Sequence, residues 1–321
     1  MLLTIITINY NNAAGLQKTV ESVLTQTSKN FEYIIVDGAA PQPPPALRDK
    51  WQGAMSDTEV LQSFIQETKT TVNGFTNCTW KSANGEITGG FYSEKDSGIY
   101  NAMNKGIRMA KSEYIHFLNS GDWLVDENVV SNMLSTLTPS PLTPSPQGEG
   151  WGEVKTDILV GGVISIRPDG TKRYKPFNNT PVSLYTFYRG TIEHTSAYIR
   201  RELFNQYGLY DESLRIVSDW KWYLQVAGLN HARVEFANIY VSYFDTSGIS
   251  STNLQLDKQE RRRVLEELIP APILADYDQY SFDIDQMQRL KKHPWAYKMV
   301  WFVERLFFKF EKWKLKYGKW E

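Results

Sequence analysis

Residues 2–38 read LLTIITINYNNAAGLQKTVESVLTQTSKNFEYIIVDG, and this stretch decides the fold. Its first part, residues 2–8, is a β-rich apolar run that ends in a polar cluster. Residues 13–26 then carry apolar side chains at helical spacing, namely Leu16, Val20, Val23 and Leu24. Residues 31–36 form a second apolar run, which stops at Asp37. Strand, helix and strand in this order predict a βαβ unit, and therefore an α/β fold with a mainly parallel sheet.

Polar side chains stand where predicted strands end or where helices begin. Asn9 follows the first strand, Asp37 follows the second, and Asp219 opens a later helix. A further strand, predicted over 113–118, ends at the turn Asn119-Ser120-Gly121-Asp122. Each of these has a structural explanation by itself, as a turn, a cap or a carboxylate at a helix N-terminus. Ligands of parallel sheets bind beyond the carboxyl ends of the strands, however, so the set together indicates a binding site.

The composition limits the classes of function. With 321 residues, the chain is long enough for one large α/β domain and an appendage. A formal net charge of -1 gives no overall attraction to nucleic acid, and no nucleic-acid partner is expected. The single Cys78 excludes an intrachain disulfide, and the four histidines have no metal-ligand spacing. No stretch approaches the roughly 20 apolar residues of a membrane span, and the first residues predict a strand rather than a signal peptide, so a cytoplasmic location is expected.

Two segments closely resemble the family 2 glycosyltransferases that build bacterial cell-surface polysaccharides: 93–124, SEKDSGIYNAMNKGIRMAKSEYIHFLNSGDWL, and 194–225, HTSAYIRRELFNQYGLYDESLRIVSDWKWYLQ. The resemblance covers about residues 1–38 and 90–252, including the later phrase YFDTSGISSTN. It leaves 39–90 and 137–155 as predicted insertions, and the second of these contains LTPSP twice. It implies the Rossmann-like GT-A fold over residues 1–255, followed by a helical extension over 256–321.

The resemblance also implies a role for each matching position. Family members transfer a sugar from a nucleotide donor to an acceptor hydroxyl with inversion, and Asp219 matches their general base. The positions expected to bind the nucleotide sugar are Thr7, Asn9, Asp37, Asp96, Asn119 and Gly121. Asp122 is expected to bind a metal, while His194 and Trp220 are expected on the acceptor or diphosphate side. A UDP sugar is the expected donor, and a saccharide or a lipid-linked sugar is the expected acceptor.

These roles agree with the chemistry of the reaction. A nucleoside diphosphate gains negative charge as it leaves, and Mg²⁺ or Mn²⁺ held by oxygen ligands neutralises that charge. Inversion requires one base to take the acceptor proton on the opposite face of the sugar. By the resemblance, the turn 119–122 takes the place of the family's Asp-x-Asp metal motif. The fuller motif has two or three carboxylates, whereas this chain has Asn119, Gly121 and only Asp122. A single carboxylate can hold Mg²⁺ together with diphosphate oxygens and waters, so a divalent metal remains the expected cofactor.

The C-terminal segment predicts an amphipathic helix over 295–320. Its apolar residues follow a spacing of three and four: Trp295, Met299, Phe302, Leu306, Phe310, Trp313 and Tyr317. Basic residues fall on an adjoining stripe: Lys298, Arg305, Lys309, Lys312, Lys316 and Lys319. Aromatic and basic residues at the boundary of such a helix are typical of segments that lie on a membrane surface. A helix docked on the catalytic domain is the alternative.

Two other functions fit parts of the sequence. A sugar-nucleotide-binding protein without transfer activity would explain the thin metal motif, although Asp219 argues against it. A nucleotidyltransferase has a related core, but such enzymes begin with a glycine-rich phosphate loop, and residues 4–16 contain only Gly15. A dinucleotide-dependent oxidoreductase is disfavoured because no GxGxxG follows the first strand.

Overall fold

A computed structural model of the chain describes residues 1–38, 56–82, 85–137, 155–177, 180–248 and 252–317. The described strands form one mixed sheet, with β1 Leu3–Asn9, β2 Phe31–Asp37, β3 Ile65–Val72, β4 Phe75–Trp80, β5 Ile87–Ser93, β6 Tyr114–Phe117, β7 Trp123–Leu124, β8 Ile158–Ile166, β9 Lys172–Tyr174, β10 Ala197–Arg200 and β11 Val234–Asp245. The strand order is β3-β4-β5-β2-β1-β6-β10-β8-β11-β7, and β9 pairs with β8. The proline-rich segment 41–45 and the LTPSP repeat beyond Leu137 lie outside the described ranges.

Helices flank this sheet and follow it in the chain. They are α1 Ala13–Leu24, α2 Asp57–Phe64, α3 Ile99–Met109, α4 Val129–Leu137, α5 Leu184–Arg189, α6 Glu202–Tyr207, α7 Ser218–Tyr223, α8 Leu254–Leu268, α9 Ala271–Lys291 and α10 Pro294–Tyr317. The π-helical segment Leu224–Leu229 continues α7, and the 3-10 turn His194–Ser196 precedes β10. The result is the mixed α/β architecture that the sequence predicts, with a mostly parallel centre of the sheet.

The parallel strands β5, β2, β1 and β6 form the centre of the sheet, which confirms the predicted βαβ unit. The predicted apolar stripe of α1 is buried in one core with the side chains of β1 and β2. Burying a Leu or Val side chain of this kind contributes about 1.5–3 kcal/mol. The strand register aligns Asn9 with Asp37, and Asp37 with Ser93. The polar ends of three adjacent strands therefore meet at one edge of the sheet.

Helix α3 packs very closely on strand β1. A Cβ placed on Gly106 would lie 2.6 Å from Cγ2 of Ile6, so only glycine allows this approach. Close packing at Gly106 sets the position of the helix against the sheet. The first turn of α3 consequently lies at the carboxyl edge, next to the end of β1.

Four elements of the sheet region fall inside the predicted insertion 39–90: α2, β3, β4 and the first part of β5. Helix α2 begins with a capping box, in which Ser56 Oγ accepts from the Glu59 amide and the Glu59 carboxylate accepts from the Ser56 amide. The sequence predicts this helix over 58–68, but it ends at Phe64 and β3 begins at Ile65. The β-branched run of β3, ending at Val72, favours the extended conformation and pairs with β4. The insertion limits themselves stay a prediction.

The chain divides into two compact units, Met1–Val264 and Leu265–Glu321. The first contains the sheet, and the second contains α9 and α10. The predicted division at 255 and 256 stays a prediction. Helix α10 exposes the predicted apolar positions Trp295, Met299, Phe302, Leu306, Phe310 and Trp313, each between 50% and 72% exposed. It exposes further large apolar side chains outside that stripe, among them Trp301, Phe307, Phe308 and Leu315.

Candidate functional site

A cavity of about 450 Å³ opens beyond the carboxyl ends of the central strands. Its walls come from three places: the end of β1, the segment that leads into α3, and the turn after β6. The lining residues are Ile8, Tyr10, Asn12, Asp96, Ser97, Gly98, Ile99, Asn119 and Ser120. The volume is within the range of small-molecule sites, and the location is the one where open α/β sheets bind ligands.

Asn9 and Asp37 form a buried pair directly behind this cavity. Asn9 Nδ2 donates to Asp37 Oδ1 at 2.9 Å, and Ser93 Oγ donates to Asp37 Oδ2 at 3.1 Å. Both oxygens of the Asp37 carboxylate are therefore held in place from neighbouring strands. Thr7 lies deeper: its hydroxyl contacts the Tyr33 hydroxyl at 3.0 Å and donates to the Leu118 carbonyl at 2.8 Å. Thr7 thus supports the wall and is not among the residues that line the cavity.

Asp57 is a candidate that the sequence reasoning missed. Burial raises the pKa of its carboxyl, as does the charge of Asp37, while hydrogen bonds from the Asn9 side chain and the Asn11 and Asn12 amides oppose the rise. Asp57 therefore sits at the loop that follows β1, beside the Asn9–Asp37 pair. The available signal was the capping sequence Ser56-Asp57-Thr58-Glu59, which falls within the predicted insertion.

Asp96 closes the same side of the cavity. Its Oδ1 accepts from the Gly98 amide at 3.2 Å, and its Oδ2 lies 2.6 Å from where a Cβ on Gly38 would be. Burial raises the pKa of Asp96, the Gly98 hydrogen bond and Lys105 lower it, and the charge of Asp37 raises it. The charge of Asp37 therefore acts on both Asp57 and Asp96.

The turn after β6 is held rigidly by α1. Thr19 Oγ1 accepts from the Gly121 amide at 3.0 Å and donates to the Asp122 carbonyl at 2.6 Å. Gly121 has a φ of 103°, in the region that favours glycine. Asn119 lines the cavity, and its Oδ1 is buried without a hydrogen-bond partner among the described residues. That oxygen is the free acceptor of the turn.

Asp122 is 5% exposed, and its Oδ1 accepts from the Asp245 amide at 3.0 Å. Burial raises the pKa of Asp122 to about 7. The hydrogen bond from the Asp245 amide opposes this rise, and the charge of the Asp245 carboxylate adds to it. Across the described ranges, no three His, Cys, Asp or Glu side chains are grouped so that they could hold a metal. Oxygens of Asp122 and Asn119 suit a hard divalent cation by their chemistry, but as one part of a shell that a bound ligand would complete.

Asp219 lies in the first turn of α7, on the side of the cavity reached by α3. Tyr100, the second residue of α3, donates to Asp219 Oδ1 at 2.9 Å. The same hydroxyl contacts the Ile216 carbonyl. Burial raises the pKa of Tyr100 well above its usual value, and Asp219 adds to the rise, so Tyr100 remains a protonated donor. Because Gly98 and Ile99 line the cavity, this hydrogen bond connects Asp219 to the cavity wall.

His194 stands on the inner side of Asp219. Its ring stacks on Phe117 with centroids 5.1 Å apart, and Nε2 lies 3.0 Å from the Tyr210 hydroxyl. Burial lowers the pKa of His194, and the charge of Asp219 opposes that change. His194 is therefore a packed, neutral side chain within the electrostatic reach of Asp219.

Trp220 and Trp222 pack inside the domain, where they are 2% and 1% exposed. Trp220 Nε1 donates to the carbonyls of Phe187 and Gly190, and the Trp222 ring stacks on Phe204 with centroids 4.4 Å apart. Neither tryptophan presents an open ring face on which a sugar could stack. The place of Trp220 on the acceptor side stays a prediction, and stacking of a sugar on its ring is not what this packing offers.

Comparisons with known proteins agree with this architecture. The model of the family described as glycosyl transferase family 2 matches residues 4–63. An uncharacterized glycosyltransferase of Mycobacterium tuberculosis is 27% identical over 251 residues, which are 77% of this chain and 76% of the relative. A PGL/p-HBAD biosynthesis glycosyltransferase of Mycobacterium bovis is 20% identical over 264 residues, which are 82% of this chain and 84% of the relative.

Solved structures share the fold. The mannosyltransferase PcManGT from Pyrobaculum calidifontis, in complex with GDP-Man and Mn²⁺, has a TM-score of 0.51 at 13% identity, with 98% of this chain and 83% of that chain covered. S. aureus TarS 1-349 in complex with UDP has a TM-score of 0.50 at 15% identity, with 90% and 78% covered. In another TarS 1-349 structure, the match spans only 61% of that chain, less than two thirds of its length.

The fold is of the GT-A type: a mixed sheet with a mostly parallel centre, flanked by helices, like that of TarS. The family match over residues 4–63 and the relatives named glycosyltransferases support a glycosyltransferase of family 2, to which this chain is similar. The family match also extends through residue 63, so it includes Asp57 and runs past the point at which the resemblance in the sequence first stops.

Proposed function

We propose that this enzyme transfers a sugar from a nucleoside diphosphate to an acceptor hydroxyl with inversion, and that Asp219 is the general base. The observation that carries the proposal is the Tyr100–Asp219 hydrogen bond of 2.9 Å, which ties this carboxylate to the residue that follows Ile99 of the cavity lining. An inverting displacement needs one base that is held rigidly towards the acceptor oxygen. Asp219 has such a support, because Tyr100 belongs to a helix whose first residues line the cavity.

The proposed donor site lies along the carboxyl edge of β1, β2 and β6. Asn9, Asp37, Asp57 and Asp96 form its nucleoside end, where oxygens and amides are available for a base and a ribose. Asn119 and Gly121 form its diphosphate end. UDP is the first nucleotide to test, and the TarS complex with UDP supports that choice by its fold alone. GDP is the second, after the mannosyltransferase complex.

A divalent cation is proposed to join Asp122 to the donor diphosphate. The cation would supply positive charge next to the leaving group. Asp122 and Asn119 would hold one side of it, and phosphate oxygens would hold the other. The mannosyltransferase structure, a complex with GDP-Man and Mn²⁺, is consistent with this proposal.

The acceptor is proposed to be a saccharide or a lipid-linked sugar of a cell-surface polysaccharide, capsule or lipopolysaccharide. Helix α10 supports a membrane-bound acceptor, since it exposes many aromatic side chains and carries six basic residues against two acidic ones over 294–317. None of the described helices is both long and apolar enough to cross a bilayer. A peripheral position at the inner face of the plasma membrane is therefore the proposed location, with α10 lying on its surface.

Replacement of the base tests the function. Nucleotide sugars such as UDP-glucose, UDP-N-acetylglucosamine and GDP-mannose are incubated with the protein and Mn²⁺, and released nucleoside diphosphate is measured. Asp219→Asn is expected to lower the rate about 100-fold or more, since a general base contributes about 10²–10⁴. Nucleotide binding, followed by thermal shift, should stay unchanged. Asp276→Asn, an exposed carboxylate on α9, is the matched control.

The main alternative is a protein that binds sugar nucleotides without transferring the sugar. This alternative is favoured by the 119–122 turn, which has a single carboxylate for binding a metal. That alternative predicts thermal stabilisation by a nucleotide sugar with no diphosphate release by the wild-type protein. A release rate that is equal in wild type and Asp219→Asn would likewise remove the catalytic role of Asp219.

A further inference from the structure

A buried carboxylate of α8 binds the backbone immediately before α7. Glu260 is 8% exposed, and its two oxygens accept hydrogen bonds from three successive amides. Oε1 accepts from Arg215 at 2.8 Å, while Oε2 accepts from Ile216 at 3.0 Å and from Val217 at 3.3 Å. Successive amides that converge on one anion compensate its charge when it leaves water. Glu260 is thus satisfied by the main chain of the segment 215–217.

The amides of 215–217 have no helical or strand partner, although the Val217 carbonyl accepts the first hydrogen bond of α7 from the Lys221 amide at 2.8 Å. It is irregular backbone that leads into α7, and Val217, the residue before the helix, makes no capping bond with its side chain. Buried amides need partners, and without Glu260 three of them would lose theirs at once. The carboxylate therefore determines how the chain enters α7, two residues before Asp219.

Tyr100 holds the same segment from the other side. Its hydroxyl contacts the Ile216 carbonyl and lies 2.9 Å from Asp219 Oδ1. The Ile216 residue is consequently fixed at both its polar groups, by Glu260 at the N–H and by Tyr100 at the C=O. Since the phenol has one hydrogen and two acceptors, its geometry towards Asp219 depends on where the Ile216 carbonyl lies.

A second contact from α8 falls on the other side of Asp219. The guanidinium of Arg261 lies 4.6 Å from the centre of the Trp220 ring and its Nε is 3.1 Å from Asp257. Glu260 and Arg261, adjacent in sequence, therefore contact the residues that precede and follow Asp219. One helix that is distant in sequence thereby supports both flanks of the catalytic carboxylate.

We propose that Glu260 is a positioning residue for Asp219: by holding the amides of 215–217, it keeps the base at the distance from Tyr100 and from the cavity that proton transfer needs. The inference rests on the proposed function, because it assigns Glu260 a role through the base. It predicts that α8, outside the donor cavity, controls the rate of the chemical step and not the affinity for the donor.

Glu260→Gln is the direct variant. It keeps the size of the side chain but replaces one acceptor oxygen by an NH₂ group, which would face a backbone N–H. Amide hydrogen exchange of residues 215–217, measured on the full chain by mass spectrometry, is expected to accelerate at least tenfold. Glu267→Gln, an exposed carboxylate on the same helix, should leave exchange there unchanged. If Glu260→Gln does not fold, Glu260→Asp, which keeps the charge and shortens the reach, takes its place in every measurement.

Kinetics separate positioning from general stability. With a nucleotide sugar that wild type hydrolyses or transfers, Glu260→Gln should lower kcat 10- to 100-fold and change the donor KM less than twofold. In an Asp219→Asn background, the same change should cost less than a further twofold, since both act through one group. Unaltered exchange at 215–217, or an equal loss of rate in both backgrounds, would overturn the positioning role. A wild-type rate in Asp219→Asn alone would instead overturn the proposed function, while the exchange result would still report on Glu260.

Discussion

At the scale of single residues, the buried carboxylates differ in what compensates their charge. Asp37 has the Asn9 amide and the Ser93 hydroxyl, and Glu260 has three backbone amides. Asp122 has the Asp245 amide, and burial raises its pKa to about 7. A carboxyl that is so poorly compensated lies where added positive charge is most favourable. This raised pKa agrees with the proposed cation site, which rests on the position of Asp122 in the turn.

His116 allows a residue-scale prediction for the dependence of stability on pH. It is buried in β6 with Nδ1 3.1 Å from the Ala197 carbonyl, and burial lowers its pKa to about 4 from 6.5. The folded form therefore keeps the ring neutral, while the unfolded chain takes up a proton as the pH falls below about 6.5. Stability should be fully present above that pH and should decline towards pH 4, by about 3 kcal/mol from this group.

Urea unfolding of wild type and His116→Phe at pH 7 and pH 4.5 measures this effect. The variant should lose less stability than wild type between the two pH values, because it has no ring to protonate. His293→Phe, at an exposed position, should behave as wild type does. An equal loss in His116→Phe and wild type would show that other groups cause the acid sensitivity.

At the scale of elements, α3 connects the parts of the site. Its N-terminal end lines the cavity, Tyr100 reaches Asp219, and Asn104 donates to the Tyr210 carbonyl at 2.9 Å and accepts from the Tyr210 amide at 3.0 Å. Gly106 then brings the same helix against β1. A shift of α3 would consequently move the donor wall and the support of the base together.

Helix α10 carries the element-scale prediction about membranes. Full-length protein should co-sediment with vesicles that contain anionic phosphatidylglycerol, because aromatic side chains insert at the interface and the basic residues of α10 are attracted to the head groups. A chain ending at Lys292 should remain in the supernatant, and binding of the full chain should weaken with salt. Full-length protein with Trp301→Ala and Phe308→Ala is the control for deletion of the whole helix, because it keeps α10 and removes two of its exposed aromatic side chains. Equal sedimentation of the full and shortened chains would contradict the prediction.

At the scale of the whole molecule, the sheet brings the candidate residues together. The strand order places β5, β2, β1 and β6 side by side, so Asp37, Asn9 and Asn119 meet at one edge although about 110 positions separate the first strand from the last turn. The first unit, Met1–Val264, contains this whole site. Ligand binding there is expected to stabilise the unit against unfolding, and the stabilisation should grow with the logarithm of the ligand concentration over its Kd.

The proposed cation site predicts that metal and nucleotide stabilise the molecule jointly. Thermal unfolding should shift little with Mn²⁺ alone, because no group of three ligands is preformed in the described residues, and should shift most with UDP and Mn²⁺ together. Asp122→Asn should lose the contribution of Mn²⁺ and keep the shift caused by UDP alone. A full Mn²⁺-dependent shift in Asp122→Asn would remove Asp122 from the cation site, and no shift with any nucleotide would remove the donor site itself.

Local patterns in the sequence were sufficient for the central fold. Apolar spacing predicted α1, β1 and β2, since a buried helix face and a buried strand each impose a short period on the chain. The helix predicted over 58–68 was too long, because pairing of β3 with β4 outweighs helical spacing beyond Phe64. Asp57 was not predicted because it lies within the predicted insertion, whereas Asn9 and Asp37, which act on it, lie before that insertion.

The sequence by itself determined the α/β class, the order of the elements and the positions at which polar residues follow strands, because these depend on contacts between near neighbours. Only the tertiary structure decided that both tryptophans of α7 are buried and that Asp122 is buried with a hydrogen bond from the Asp245 amide. It likewise decided that Glu260 binds the backbone before Asp219. The Tyr100–Asp219 hydrogen bond joins residues 119 positions apart. Contacts between residues so far apart in sequence depend on how the elements pack, and the local spacing of apolar residues does not predict them.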